Sequence, residues 1–140
     1  MGEVINPCQT GFVPGRRTSD NIIIVQEVIR ILISRRSQMG YVALTLDIEK
    51  AYDRLEWPFI RETLEYFQVP LNLITLIMNM ISSTRFHILW NGSPLSEVVP
   101  SRGIRQGDPL SPYLFILCLE RLSIKLNEAV RDKLIHPINF

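Results

Sequence analysis

Several things are scarce in this chain, and each scarcity excludes something. Its 140 residues hold two cysteines and two histidines. Cys8 and Cys118 stand far apart, so they form neither a disulfide framework nor a metal-ligand set, and a reduced intracellular protein is the default. With only His87 and His136 available, a zinc site or a catalytic histidine has little to be built from. Charge of one sign is also missing. The 15 Lys+Arg against 14 Asp+Glu leave a net charge of +1, which excludes a globally basic nucleic-acid coat and an acidic disordered tail. Lysine is rare, at 3 residues against 12 Arg. Arginine makes planar, bidentate contacts to phosphate and carboxylate, so local clusters retain binding capacity. There is no secretory segment, and Asn6 stands where a myristoylation signal needs Ser or Thr. No charge occurs between Glu65 and Arg85, yet Gln68, Pro70, Asn72, Thr75 and Asn79 make that run too polar to cross a bilayer, so no membrane partner is expected. Repeats, low-complexity tracts and linkers are absent, so residues 1–140 read as one domain.

What is present is a chain 46% hydrophobic, long enough to bury a core. Residues 6–19 are loop-like, with Thr18, Ser19 and Asp20 as candidate N-caps. Residues 21–36 predict a helix with Ile22, Val25, Ile29 and Leu32 on one stripe, ending at cationic Arg30, Arg35 and Arg36 before Gly40. Residues 41–46 predict a short apolar strand running into Asp47. Helices are expected over 58–67, with Pro58 at its first position, and over 71–82. Residues 84–90 alternate, Asn91-Gly92 marks a hairpin turn, and a partner strand is expected within 95–99. After a Gly/Pro loop over 100–111, a last helix runs from about Pro112 to Val130, packing through Leu114, Phe115, Leu117, Cys118, Leu122 and Leu126. Trp57, Phe86, Trp90, Met78 and Met80 are assigned to the core.

Three segments could carry chemistry. Asp47 ends an apolar strand, where a carboxylate is costly unless it is hydrated, paired or bound to metal. On spacing alone it is either a metal ligand or a surface residue capping the next turn. Asp53 with Glu56 fits a capping-box-like start. The second segment is Arg102-Gly103-Ile104-Arg105-Gln106-Gly107-Asp108-Pro109-Leu110-Ser111-Pro112. Its glycines allow close backbone approach, and a Gly-flanked loop entering a helix suits a phosphate or sugar; the alternative is a connecting loop shaped by its Gly and Pro. The third, Gln9-Thr10-Gly11-Phe12-Val13-Pro14-Gly15-Arg16-Arg17, reads as a flexible arm with adjacent cations.

These three blocks, in this order, resemble the reverse transcriptase domain of a non-LTR (LINE-type) retrotransposon. Gln9 to Arg16, with Thr18, Asp20 and Asn21, is similar to the family's fingers block; Leu46 to Asp53 to its first palm motif; Arg102 to Pro112 to its second. The resemblance implies an α+β fold, helix-rich with a small antiparallel sheet, forming the fingers and an incomplete palm of a right-hand polymerase. It implies RNA-directed DNA polymerase chemistry with RNA template, DNA primer and dNTP, a nuclear site of action, and two Mg²⁺ ions. Asp47 would be the catalytic metal ligand, with the Ile48 carbonyl completing the coordination. Tyr52 would reject a 2′-hydroxyl on the incoming sugar. Gln106, Gly107 and Arg105 would position nucleotide and template, and Arg16 would face template or triphosphate. The family's third palm motif, an Ala-Asp-Asp hairpin, has no counterpart, because no Asp-Asp pair occurs in the sequence. The resemblance therefore implies a fragment inactive by itself, whose remaining palm and thumb segments lie in the parent polyprotein. Two other readings stay open: a non-catalytic nucleic-acid-binding remnant using Arg16, Arg17, Arg102 and Arg105, and a helical interaction module.

Overall fold

The computed structural model describes residues 4–34 and 42–137. Its elements run α1 (Thr18–Ser34), α2 (Ala51–Arg54), α3 (Trp57–Tyr66), α4 (Leu71–Ser82), β1 (Phe86–Trp90), β2 (Ser93–Val98) and α5 (Ser111–Arg131). Among the described residues this is a helix-rich α+β chain with a single two-stranded antiparallel sheet. It divides into two compact units, one of Met1–Asp47 with Leu122–Phe140 and one of Ile48–Arg121.

The second unit holds the main core. Pro58 opens α3, where its missing N–H costs nothing. Ile60 and Leu64, four residues apart, face one way; Ile74, Ile77 and Met78 do the same on α4. They pack with Ile104, Leu114 and Cys118 into one cluster. Gln68 takes a left-handed φ of 55° at the end of α3, the Val69 N–H donates to the Leu64 carbonyl at 3.0 Å, and Pro70 then starts α4. The capping box expected of Asp53 and Glu56 does not form. Asp53 lies inside α2, and Glu56 precedes α3 with no side-chain cap bond.

Thr63 Oγ1 is buried in this core without a conventional partner, the Cys118 thiol offering only a weak polar contact. Burial pushes the Cys118 thiol up to about 11, opposed by that contact and by the charge of Arg121. α5 runs one residue beyond its expected start and one beyond its expected end. Leu122 and Leu126, assigned to its packing face, are 43% and 45% exposed, whereas Ile116 is buried.

The hairpin closes as the sequence predicts. Asn91 and Gly92 take φ of 48° and 80°, the left-handed pair that a two-residue turn requires. Phe86 pairs with Val98 and Trp90 with Ser93, with a bulge between His87 and Leu89 that gives β2 one extra residue. The expectation that Phe86 and Trp90 are core residues is wrong: they are 42% and 68% exposed, because every residue of this ribbon faces solvent. Met80 is likewise exposed, while Met78 is buried.

Two expectations for the first unit change. The helix begins at Thr18, so Thr18, Ser19 and Asp20 form its first turn. It buries no side chain; Ile22, Ile23, Ile24, Val25, Ile29 and Ile33 are exposed. Arg35, Arg36 and Gly40 lie outside the described residues. The strand expected over 41–46 is not formed at 42–46, where the chain pairs with no neighbour. Val42, Leu44 and Leu46 are exposed. Apolar alternation specifies a strand only when a partner completes its hydrogen bonds, and none of the described residues does so. Tyr41 lies outside the described residues.

Truncating Ile60 to Ala should destabilise the chain by about 2–5 kcal/mol, whereas Ile33→Ala should stay within about 0.5 kcal/mol, in urea titration. Cys8, which is exposed, should react with a thiol reagent near neutral pH while Cys118 resists until the chain unfolds. Because the folded Cys118 keeps its proton to about 11, against 9.0 ordinarily, stability should fall as pH rises through that interval.

Candidate functional site

The first palm-like block turns at Glu49 and Lys50. Asp47 and Ile48 are exposed and lie in irregular chain. Lys50 takes φ 51° and ψ 46°, a left-handed conformation uncommon for lysine. Its carbonyl then accepts the Asp53 and Arg54 N–H groups at 3.0 and 3.1 Å, closing the single turn of α2. Glu49 pairs with Arg54 at 3.8 Å on the surface, a contact worth little. The Tyr52 ring lies against Phe115, centroids 5.2 Å apart and tilted by 54°.

The Arg102–Pro112 loop is fastened to this turn by its backbone. The Gly103 N–H donates to the Leu55 carbonyl at 2.7 Å, and the Ile104 N–H to the Tyr52 carbonyl at 3.0 Å. Trp57 Nε1 donates to the Gly103 carbonyl at 2.8 Å, a role that its core assignment did not anticipate. Gly103 has φ +89°, and a Cβ there would stand 3.2 Å from the Asp53 Cα and carbonyl oxygen. Both the conformation and the space demand glycine. Ile104 is buried in the core, and farther along the Ser111 hydroxyl donates to the Arg105 carbonyl at 2.6 Å. Asp108 Oδ1 accepts the Leu110 N–H at 2.8 Å, an Asx turn that leads into α5.

This anchoring leaves the functional groups outside. A cleft of about 670 Å³ is bordered by Asp53, Thr84, Phe86, Arg102, Arg105 and Gln106 among others. Arg102, Arg105 and Asp53 are exposed, and none of them is in an ion pair among the described residues. Gly107 has φ +88° with open space where a Cβ would project, so a ligand can approach its backbone. Two guanidiniums, an amide and an accessible backbone suit an anionic, hydrogen-bonding ligand.

The Gln9–Arg17 segment is not the loose arm its composition suggests. Arg16 Nη1 donates to the Asn6 and Gln9 carbonyls at 2.6 and 2.7 Å, and Nη2 to the Ile5 carbonyl at 3.3 Å. Asn21 Nδ2 donates to the Cys8 carbonyl and to Thr10 Oγ1 at 2.9 and 3.0 Å. A half-buried guanidinium thus gathers the loop around itself.

The structure therefore brings Arg105 and Gln106 to one cleft, with Gly107 next in the loop and Tyr52 behind their anchor. Asp47 and Arg16 belong to the other unit. Asp53 and Thr84 were missed as lining residues. Asp53 had been given a capping role, and nothing in the sequence marks Thr84. Among the described residues no group of three or more His, Cys, Asp or Glu could hold a metal ion.

The profile of the reverse transcriptase (RNA-dependent DNA polymerase) family matches residues 1–136. The chain belongs to the reverse transcriptase family. It is 36% identical over 128 residues to the retrovirus-related Pol polyprotein from type-2 retrotransposable element R2DM of Drosophila melanogaster, covering 91% of this chain and 12% of that protein. It is 32% identical over 120 residues to the transposon TX1 uncharacterized 149 kDa protein of Xenopus laevis, covering 86% of this chain and 9% of that protein. It is also 68% identical over 40 residues, 27% of this chain and 33% of the other, to the uncharacterized mitochondrial protein AtMg01250 of Arabidopsis thaliana. The first two spans are about a tenth of the relatives' lengths. No solved structure matches. The LINE-type reverse transcriptase identity drawn from the three motif blocks is upheld.

Replacing Gly103 with Ala should cost about 1–3 kcal/mol of stability in urea titration, through left-handed strain and crowding against Asp53.

Proposed function

We propose that this reverse transcriptase chain provides the fingers and the first part of the palm of an RNA-directed DNA polymerase, handling template, primer and incoming dNTP. The observation that carries the reading is the anchored loop, which holds the Arg102, Arg105 and Gln106 side chains free at the cleft. Arg105 and Gln106 take the phosphates and base edges of nucleotide and template, and the bare backbone at Gly107 lets them close in. Tyr52, braced by Phe115, excludes a sugar 2′-hydroxyl. Arg16 serves through the loop it ties together.

Asp47 fits one share of a magnesium site. It is exposed, it is in no ion pair among the described residues, and Mg²⁺ takes one or two carboxylates with water and substrate phosphates. The Ile48 carbonyl would be the second protein oxygen. When bound, the metal ions lower the pKa of the primer 3′-hydroxyl and neutralise charge on the leaving pyrophosphate. Among the described residues no group of three or more His, Cys, Asp or Glu is gathered for a metal. This favours a second reading for the 140 residues by themselves: nucleic-acid binding without catalysis.

The purified chain should bind an RNA–DNA hybrid at low salt and extend no primer. Arg102→Ala and Arg105→Ala should each lower the salt dependence by about one phosphate contact. Mg²⁺-dependent extension abolished by Asp47→Ala would overturn the expected inactivity, and absence of hybrid binding at low salt would overturn the polymerase reading of the cleft.

A further inference from the structure

The aromatic side chains of the β1–β2 hairpin are exposed, and their placement is specific. Phe86, Ile88 and Trp90 alternate along β1, so they share one face. All three are exposed, Trp90 at 68%. Phe86 also borders the cleft, so the stripe starts at the cleft wall and runs outward along the strand. At about 3.3 Å per residue, the stripe from Phe86 to Trp90 is about 13 Å long.

We propose that this face is a stacking platform for the unpaired bases of a single nucleic-acid strand entering or leaving the cleft. The proposal rests on the nucleic-acid reading of the cleft and extends it to a surface that reading does not use.

Three features favour a nucleic-acid strand as the occupant. The stripe meets, at Phe86, a cleft lined by Arg102 and Arg105, which are in no ion pair among the described residues and would hold the strand's phosphates. Two of its three side chains, Phe86 and Trp90, are flat rings, which offer a π-face to any base whatever its sequence. Ser93, opposite Trp90, is too small to cover the indole. The ribbon is also held in shape before anything binds. Its turn carries the Asn-Gly pair in left-handed conformation, and Arg85 bridges to Glu97 across the strands at 3.1 Å. That ion pair consumes the hairpin's own charges, so attraction to phosphate comes from the cleft and the hairpin adds stacking.

The test uses the full chain and a fluorescein-labelled oligouridine strand, followed by anisotropy at low salt. Trp90→Ala and Phe86→Ala should each weaken binding by about 5- to 150-fold, the range for loss of one stacked base. Trp90→Tyr should restore most of it. Leu89→Ala, on the other face of the same strand, should bind as the parent does. Oligouridine should quench tryptophan fluorescence in the parent and much less in Trp90→Tyr. Trp90 is mostly solvent-exposed, so its removal leaves the core intact, and circular dichroism checks this. If Arg102→Ala weakens binding while Trp90→Ala does not, the platform is wrong and the cleft reading stands. If the parent chain does not bind the strand, both fall. If Trp90→Ala instead dissociates an oligomer and leaves strand affinity unchanged, the face joins copies of the chain and the proposal is overturned.

Discussion

The second unit depends on one short stretch of backbone pairing. The Gly103 and Ile104 amides bond to the carbonyls of Leu55 and Tyr52, and Trp57 reaches over to the Gly103 carbonyl. Through these bonds a loop with no regular structure is tied to the segment from Tyr52 to Trp57. Its apolar member, Ile104, drops into the core formed by α3, α4 and α5. Its polar members are left to point outward. Glycine suits this position because its φ is left-handed and a Cβ would crowd the Asp53 backbone at 3.2 Å. Rigid support beneath exposed guanidiniums is what a binding loop needs, since each side chain fixed in advance lowers the entropy lost on binding.

The two arginine-bearing loops use their cations in opposite ways. Arg16 turns inward and satisfies backbone carbonyls of its own loop, a use suited to a planar guanidinium with five donors. Arg102 and Arg105 keep theirs free at the cleft. A near-neutral net charge therefore conceals a local division of labour, in which one arginine shapes the chain and others remain available to a ligand.

Much apolar surface has no partner among the described residues. It includes Ile22, Ile23, Ile24 and Ile33 of α1, then Val42, Leu44 and Leu46, and Phe86, Ile88, Leu89 and Trp90 of the hairpin. The chain spans about a tenth of the length of its Drosophila and Xenopus relatives, and so much bare apolar surface is consistent with that proportion.

The sequence by itself determined the local elements and the family. Pro58, Pro70 and Asn91-Gly92 punctuate the chain through backbone chemistry that needs no distant contact, so α3, α4 and the hairpin turn stand where expected. The motif blocks were legible because residue order alone defines them. Tertiary structure decided everything that depends on what lies opposite. Residues 42–46 have strand periodicity but no strand partner among the described residues, and Phe86 and Trp90 look like core residues but are 42% and 68% exposed. Arg16 was unreadable as a loop pin because its acceptors are backbone carbonyls, which every sequence has. Asp53 was unreadable as a cleft residue because only the pairing of Gly103 and Ile104 with Leu55 and Tyr52 brings it there. Periodicity records a preference of each residue for its own backbone and for water. Burial and binding depend on distant partners, and only the folded chain supplies them.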